Sequence, residues 1–332
     1  MTPAARALDR IYPVLYRGIL THLPERTAIA LGQAGLRTLP LDRLSLFRND
    51  DPRLAITLGG VRLPNPLILT SMYYDTRILR RAMGLGFGAV TAKSITRLPR
   101  PGHPHPNLVR LDSPAGPGLV NCNGFHNPGL AAYRREIAAL PHRVPLIVAA
   151  AGESIEEYVE VVRGLEPFGD LVEINISSPN TRLVYEWSQK PSELRRLFDA
   201  VRGATRRPVI VKLSPDFHDE NLQTIVPALL EAGLGIVNYG NTRRIDEPRL
   251  SQRAGGLSGP AIFPAMLENV RSVRARFGAA LEIIATGGIH SPETARQALA
   301  AGATACGYFT AFITEGPLLA RRILDGLLAA RK

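Results

Sequence analysis

Two of the four lysines in this chain stand where a lysine is costly. Lys93 closes the apolar run GAVTAK and Lys212 closes PVIVKLS, whereas Lys190 lies in a polar stretch and Lys332 is terminal. A compact ammonium at the end of a buried strand is kept only where something uses its charge, so both point to a ligand with negative character. The segment EINISSPNT (173–181) gathers Asn175, Ser178 and Asn180 around Pro179. Amides donate and accept at once, which suits a planar ligand with alternating donors and acceptors. LVNCNGFHNPG (119–129) adds Asn121, Asn123 and Asn127 as a second amide wall. A third chemistry is anion binding through bare backbone. ATGGIHSPETA carries Gly287 and Gly288 ahead of a helix entry at Ser291, GYFTAFITEGP carries Thr310, and AGGLSGPAI carries Ser258 and Gly259. Glycine turns at helix entries leave N–H groups free for phosphate.

Those residues need a scaffold that brings them to one place. Eight short β-type runs alternate with helical stretches: 66–71, 88–93, 145–152, 171–178, 208–214, 235–241, 282–288 and 304–310. Most are apolar on both faces, as parallel strands covered by helices are. Helical periodicity falls at 154–165, 191–203, 218–232, 261–276 and 292–301. Eight β/α units over this length predict an α/β fold, a TIM barrel, with an open doubly wound sheet as the weaker reading. Thr70, Ser71, Lys93, Asn175, Lys212, Asn241, Gly287, Gly288 and Thr310 then all fall at C-terminal strand ends, where barrels of this kind build their sites. The Pro- and Gly-rich stretch 94–144 reads as an insertion, a hairpin-bearing loop over the barrel mouth. Residues 40–60 read as a linker. Residues 1–45 read as a small N-terminal helical extension, two amphipathic helices that form a cap or lie on a membrane surface, and residues 46–332 as the barrel.

Composition removes several classes. The net charge is +11, but the arginines are dispersed and aromatics are sparse, which argues against nucleic acid. The histidines form no metal-binding pattern, so no catalytic metal is expected. Cys122 and Cys306 suggest no disulfide framework, and Cys122 reads as an inert thiol. Asp75, Glu153 and Glu173 stand alone in sequence and form no carboxylate pair. Arg6, Asp9, Arg10 and Arg17 interrupt every apolar run near the start, so no signal peptide is expected.

INISSPNT, VKLSPD, GGLSGPA, the TGGI turn and the FITEGP ending, in this order and spacing, resemble the dihydroorotate dehydrogenase family of FMN enzymes, over about residues 8–330. The resemblance implies FMN as cofactor and oxidation of dihydroorotate to orotate in pyrimidine synthesis. It implies Ser178 as catalytic base, with Thr181 and Phe125 along its proton exit. It implies Lys212 beside the flavin, with Thr70, Ser71, Lys93, Asn175, Ser258, Gly259, Gly287, Gly288 and Thr310 as further cofactor contacts. Around the substrate it implies Lys93, Asn121, Gly124, Phe125, Asn175, Asn180, Asn241 and Thr242. A serine base and two N-terminal helices look like the membrane-associated class. That class implies a quinone acceptor, peripheral contact through those helices, and a place on the cytoplasmic side of the cell membrane.

The chain also departs from that class. After the first strand it reads LTSMYYDT, without a lysine, and Lys93 in TAKSIT looks like the substrate-side lysine of the soluble class. AAAGE at 149–153 is also soluble-like, Asn123 stands where a Met is usual, and NTRLVYEW lacks a Pro-Gly after Thr181. A catalytically silent FMN-binding or regulatory protein stays open at this stage, and so do two other readings. One is an FMN oxidoreductase of the same family acting on a different cyclic amide or enone. The other is a non-redox phosphate-binding barrel, which would need a catalytic carboxylate or Schiff-base lysine and would carry no flavin.

Overall fold

A computed structural model describes residues 3–177, 190–217 and 219–330. The chain begins with α1 (Pro3–Gly18), α2 (Glu25–Thr38), β1 (Ile56–Leu58), β2 (Val61–Leu63), β3 (Leu67–Leu69), α3 (Thr76–Ala82) and β4 (Ala89–Thr91). It continues through β5 (Leu108–Ser113), β6 (Gly116–Asn121), α4 (Leu130–Ile137), β7 (Leu146–Ala150), α5 (Ile155–Leu165), β8 (Leu171–Asn175), α6 (Pro191–Ala204) and β9 (Val209–Leu213). Then follow α7 (Asp219–Glu231), β10 (Ile236–Tyr239), β11 (Arg243–Asp246), β12 (Ala254–Ser258), α8 (Phe263–Phe277) and β13 (Glu282–Thr286). The described chain ends with α9 (Pro292–Ala300), β14 (Ala305–Tyr308), α10 (Thr310–Thr314) and α11 (Leu319–Ala329).

The strands β3, β4, β7, β8, β9, β10, β13 and β14 pair in that order, all parallel, and β14 returns to β3 to close a barrel. These are the eight runs expected from sequence, and closure rules out the open sheet. Their residues are buried on both faces because helices cover the outside and side chains fill the inside. The five expected helices correspond to α5, α6, α7, α8 and α9. Ser154 begins α5 by accepting the Glu157 N–H, and Ser291 begins α9 in a reciprocal capping box with Thr294.

Three sequence expectations need correction. Residues 40–60 are more than a linker: β1 and β2 form a hairpin that plugs the barrel floor. Leu58 and Leu63 pack there against Ile68, Ile147, Leu171, Ile210, Ile236 and Ile284. Leu58→Ala should cost roughly 2–5 kcal/mol of stability, read as a lower denaturant midpoint with ligand binding unchanged. The 94–144 insertion is shorter than expected, since Leu130, Tyr133 and Ile137 of α4 are buried in the main core as part of the barrel's helical coat. The glycine-rich stretch at 254 is a strand: β12 pairs with β6, so the mouth carries a four-stranded sheet ordered β11–β12–β6–β5. Glycine is needed there, because a Cβ at Gly256 would lie 1.9 Å from Thr242 Oγ1.

In the N-terminal extension Pro13 sits within α1 without ending it. Asp9 pairs with Arg322 at 2.8 Å, Tyr12 donates its hydroxyl to the Ile313 carbonyl at 2.9 Å, and Arg110 donates to the carbonyls of Leu20 and Thr21, each at 2.6 Å. Arg37 of α2 pairs at 2.7 Å with Asp75, the residue that caps α3. Tyr16 of α1 is buried, whereas Leu8, Ile11, Val14, Leu15, Ile19 and Leu31 are exposed. The apolar stripe therefore faces away from the barrel.

Candidate active site

One cavity of about 1500 Å³ runs from between α1 and α2 down onto the C-terminal ends of the barrel strands. Every described site residue nominated from sequence lines it except Asn127. Ser178, Asn180 and Thr181 lie outside the described residues. The remainder sort into three walls.

At the centre, Asn175 ends β8 and its Oδ1 accepts from the N–H and hydroxyl of Ser177, at 3.1 and 2.8 Å. Its Nδ2 donates to Ser94 Oγ at 3.3 Å. Asn241 donates to the same Ser177 hydroxyl at 2.7 Å and holds the Thr242 N–H at 2.8 Å. Asn241, Ser177, Asn175 and Ser94 thus form one chain of amides and hydroxyls across the mouths of β10, β8 and β4. Each amide is oriented before any ligand arrives, which lowers the entropic cost of binding one. Sequence reading missed Ser177 and Ser94. The double serine at 177–178 was the available signal for the first.

The second wall comes from the loop 119–129. Asn123 donates to Asn121 Oδ1 at 3.2 Å, and both residues line the cavity with Gly124 and Phe125. Asn127 does not join them. It is buried, ties Thr96, Phe125 and Gly129 together, and fixes the loop. Phe125 adopts φ 56°, strained for a bulky residue, at the edge of the cavity. Lys93 faces this wall, and its backbone N–H donates to the Tyr73 carbonyl at 2.8 Å. Burial without a described counter-ion pushes its pKa down to about 8. The nearby Lys93 charge, after burial itself, also lowers the pKa of His126. Tyr73 packs edge-on against Phe309 with ring centroids 5.2 Å apart, and Tyr74 against His126 at 5.6 Å. The bulk of the Met72–Tyr74 stretch therefore builds the cavity wall between the strand ends and the helical extension.

The third wall is the glycine-rich end. Gly287 and Gly288 have φ 129° and 72°, and Gly259 has φ 105°. A Cβ at Gly288 would come within 2.6 Å of Phe263 Cβ, and one at Gly259 within 2.9 Å of Gly118 Cα. Only glycine fits these positions, and the backbone stays bare toward the cavity. Thr310 donates to Ser258 Oγ at 2.8 Å, which donates to the Leu119 carbonyl at 3.1 Å. Thr286 Oγ1 is buried and has no protein partner among the described residues. Lys212 emerges between these walls with Thr70 and Ser71 nearby; its Nζ lies 3.4 Å from Ser71 Oγ. Bare glycines, hydroxyls, an orphaned threonine oxygen and one lysine form a donor set that fits a phosphorylated, electron-accepting cofactor such as FMN.

The family model for dihydroorotate dehydrogenase matches residues 53–330. The chain belongs to the dihydroorotate dehydrogenase family. A relative in Sphingopyxis alaskensis, named dihydroorotate dehydrogenase (quinone), is 35% identical over 100% of this chain and 94% of its own length. One of the same name in Mycolicibacterium gilvum is 35% identical over 96% and 95%. The crystal structure of DHODH from Eimeria tenella in complex with ferulenol superposes with a TM-score of 0.83 at 25% identity, covering 95% of this chain and 94% of that one. In this member of the dihydroorotate dehydrogenase family no helix is long and apolar enough to cross a membrane, among the described residues. No group of three or more His, Cys, Asp or Glu is placed to hold a metal, again among the described residues.

Proposed function

We propose that the protein oxidises dihydroorotate to orotate in pyrimidine biosynthesis, with FMN as cofactor and membrane quinone as electron acceptor. The observation that carries this reading is the continuity of one cavity. It joins an amide-and-lysine wall suited to a cyclic amide acid, a glycine-rich wall suited to a flavin phosphate, and a mouth between two helices whose outer faces are apolar.

FMN, when bound, would supply the redox chemistry that links substrate oxidation to quinone reduction. Ser258, Gly259, Gly287, Gly288 and Thr310 would hold its phosphate, and Thr70, Ser71 and Lys212 would hold its ring. Lys212 sets a positive charge where negative charge develops. Lys93 takes the substrate carboxylate. Asn175 and Asn241, already locked by the Ser177 chain, fix the ring with Asn121, Thr242, Gly124 and Phe125, and Asn180 completes this set. Ser178 receives the C5 proton, and Thr181 and Phe125 lead it out. A serine is a weak base, so alignment carries most of its effect.

The exposed apolar stripe of α1, with Leu31 of α2, suits peripheral contact with the cytoplasmic side of the cell membrane. Such a surface in water is otherwise an aggregation liability. Quinone then enters between the two helices and reaches the cavity past Tyr73. A chain lacking residues 1–38 should lose several-fold more turnover with a long-chain quinone than with a soluble dye acceptor. Equal losses in the two assays would make the helices a structural cap.

The test of the whole reading is an anaerobic visible spectrum of the purified protein. Bleaching of a flavin band on addition of dihydroorotate supports it. A flavin band that stays oxidised moves the protein to another substrate, and absence of flavin after incubation with FMN removes the redox reading.

A further inference from the structure

The interior of the barrel holds a carboxylate that the proposed mechanism does not use. Glu173 lies in the middle of β8 and is 1% exposed. Leu171 and Ile210 both pack on the floor hairpin inside the barrel. Side chains alternate along a strand, so Glu173 and Lys212, each two residues further on, also point inward. Apart from Glu282, whose carboxylate is taken up by the Gly59 N–H at the floor, these are the only charged residues in the eight barrel strands. Glu173 pairs in register with Ile210, so its Cα lies one strand over and two residues below that of Lys212. Strand spacing and rise place the two Cα atoms roughly 8 Å apart.

Neither charge has a nearer answer. Asn238 Nδ2, reaching from β10 across β9, donates to Glu173 Oε2 at 2.8 Å. Among the described residues Glu173 Oε1 and Asn238 Oδ1 have no partner, and neither Glu173 nor Lys212 forms an ion pair. A buried charge persists where an opposite charge compensates it. Glu173 does not reach the cavity, whereas Lys212 does.

We propose that Glu173, held by Asn238, is the counter-charge of Lys212, a positioning residue that limits the positive field the lysine presents to the flavin and so sets the flavin's reduction potential. The inference rests on flavin binding at Lys212. Reduction adds negative charge next to the lysine. An ionised Glu173 behind it opposes that charge and holds the potential down, which eases transfer of electrons onward to the acceptor.

The test is spectroelectrochemistry on the flavin-loaded full chain and its Glu173→Gln and Glu173→Leu variants. Both substitutions remove the charge, and the first keeps the shape. Each should retain flavin and favour its reduced form at least tenfold more than the parent, a positive shift of about 30 mV or more for a two-electron couple. Retained flavin at an unchanged potential would overturn the proposal. So would loss of flavin from both variants, since a tuning charge is dispensable for binding. A parent chain that takes up no FMN would instead defeat the earlier functional reading.

Discussion

Lys212→Met should slow reduction of the bound flavin by dihydroorotate about 10²–10³-fold, the range expected when one preorganised electrostatic donor is removed. Methionine keeps most of the stem volume and removes the charge. The lysine is 6% exposed and among the described residues has one weak contact, to Ser71 Oγ at 3.4 Å, so burial rather than a tight partner among them holds its ammonium in place. A charge kept this way is free to meet charge that appears only during the reaction, which is the condition for raising a rate and not merely an affinity. Flavin content should stay close to the parent's, because the glycine-rich wall remains intact. Single-turnover reduction followed by stopped flow at saturating dihydroorotate reads the effect. An unchanged rate would remove Lys212 from the chemistry. The variant also leaves Glu173 with no cation beside it, so its melting temperature should fall and should recover on adding Glu173→Gln.

The barrel was readable from sequence because each of its strands is an apolar run ending in a polar or glycine residue. Ser71, Lys93, Asn241, Gly288 and Thr310 among those terminal residues do meet in one cavity. What stayed hidden depended on contacts distant in sequence. The helix α3, TRILRRA, has three arginines, and nothing in that pattern says that Arg81 is buried in an ion pair with Asp42. The glycines of β12 looked like a loop, and only pairing with β6, more than a hundred residues earlier, makes them a strand. Asn127 looked like Asn121 and Asn123, but a one-dimensional reading cannot tell an amide that faces a ligand from one that ties a turn. Glu173 appeared isolated, and its partner Asn238 is 65 residues away on a strand two places along the barrel. The amphipathic pattern of α1 was legible, but the direction of its apolar face was not, since periodicity fixes a stripe without saying what covers it.

Lys93 gives the other large effect, and its sign can be worked out from burial. Its pKa is lowered from 10.5 to about 8 by desolvation. In the free protein the amine therefore loses its proton as pH rises through about 8, while in the unfolded chain it keeps the proton to near 10.5. Between these values the unfolded state binds more protons, so Lys93 makes folding stability increase with pH across that window. Ligand binding should move the opposite way. A carboxylate needs the ammonium, so affinity for orotate should fall about tenfold per pH unit above about 8, with one proton taken up on binding. Lys93→Met should weaken orotate binding roughly 100-fold below that pH, within the range for truncating one partner of a buried charged pair, and should flatten the alkaline decline. Calorimetric titration of orotate into the flavin-loaded protein, in buffers of different ionisation enthalpy, measures both affinity and proton uptake. Parent affinity that is level through pH 9 would show that the carboxylate is bound elsewhere. Opposite pH slopes for stability and affinity, both abolished by one substitution, are hard to obtain from a lysine that only packs, because packing gives no reason for the ligand to carry a proton in with it.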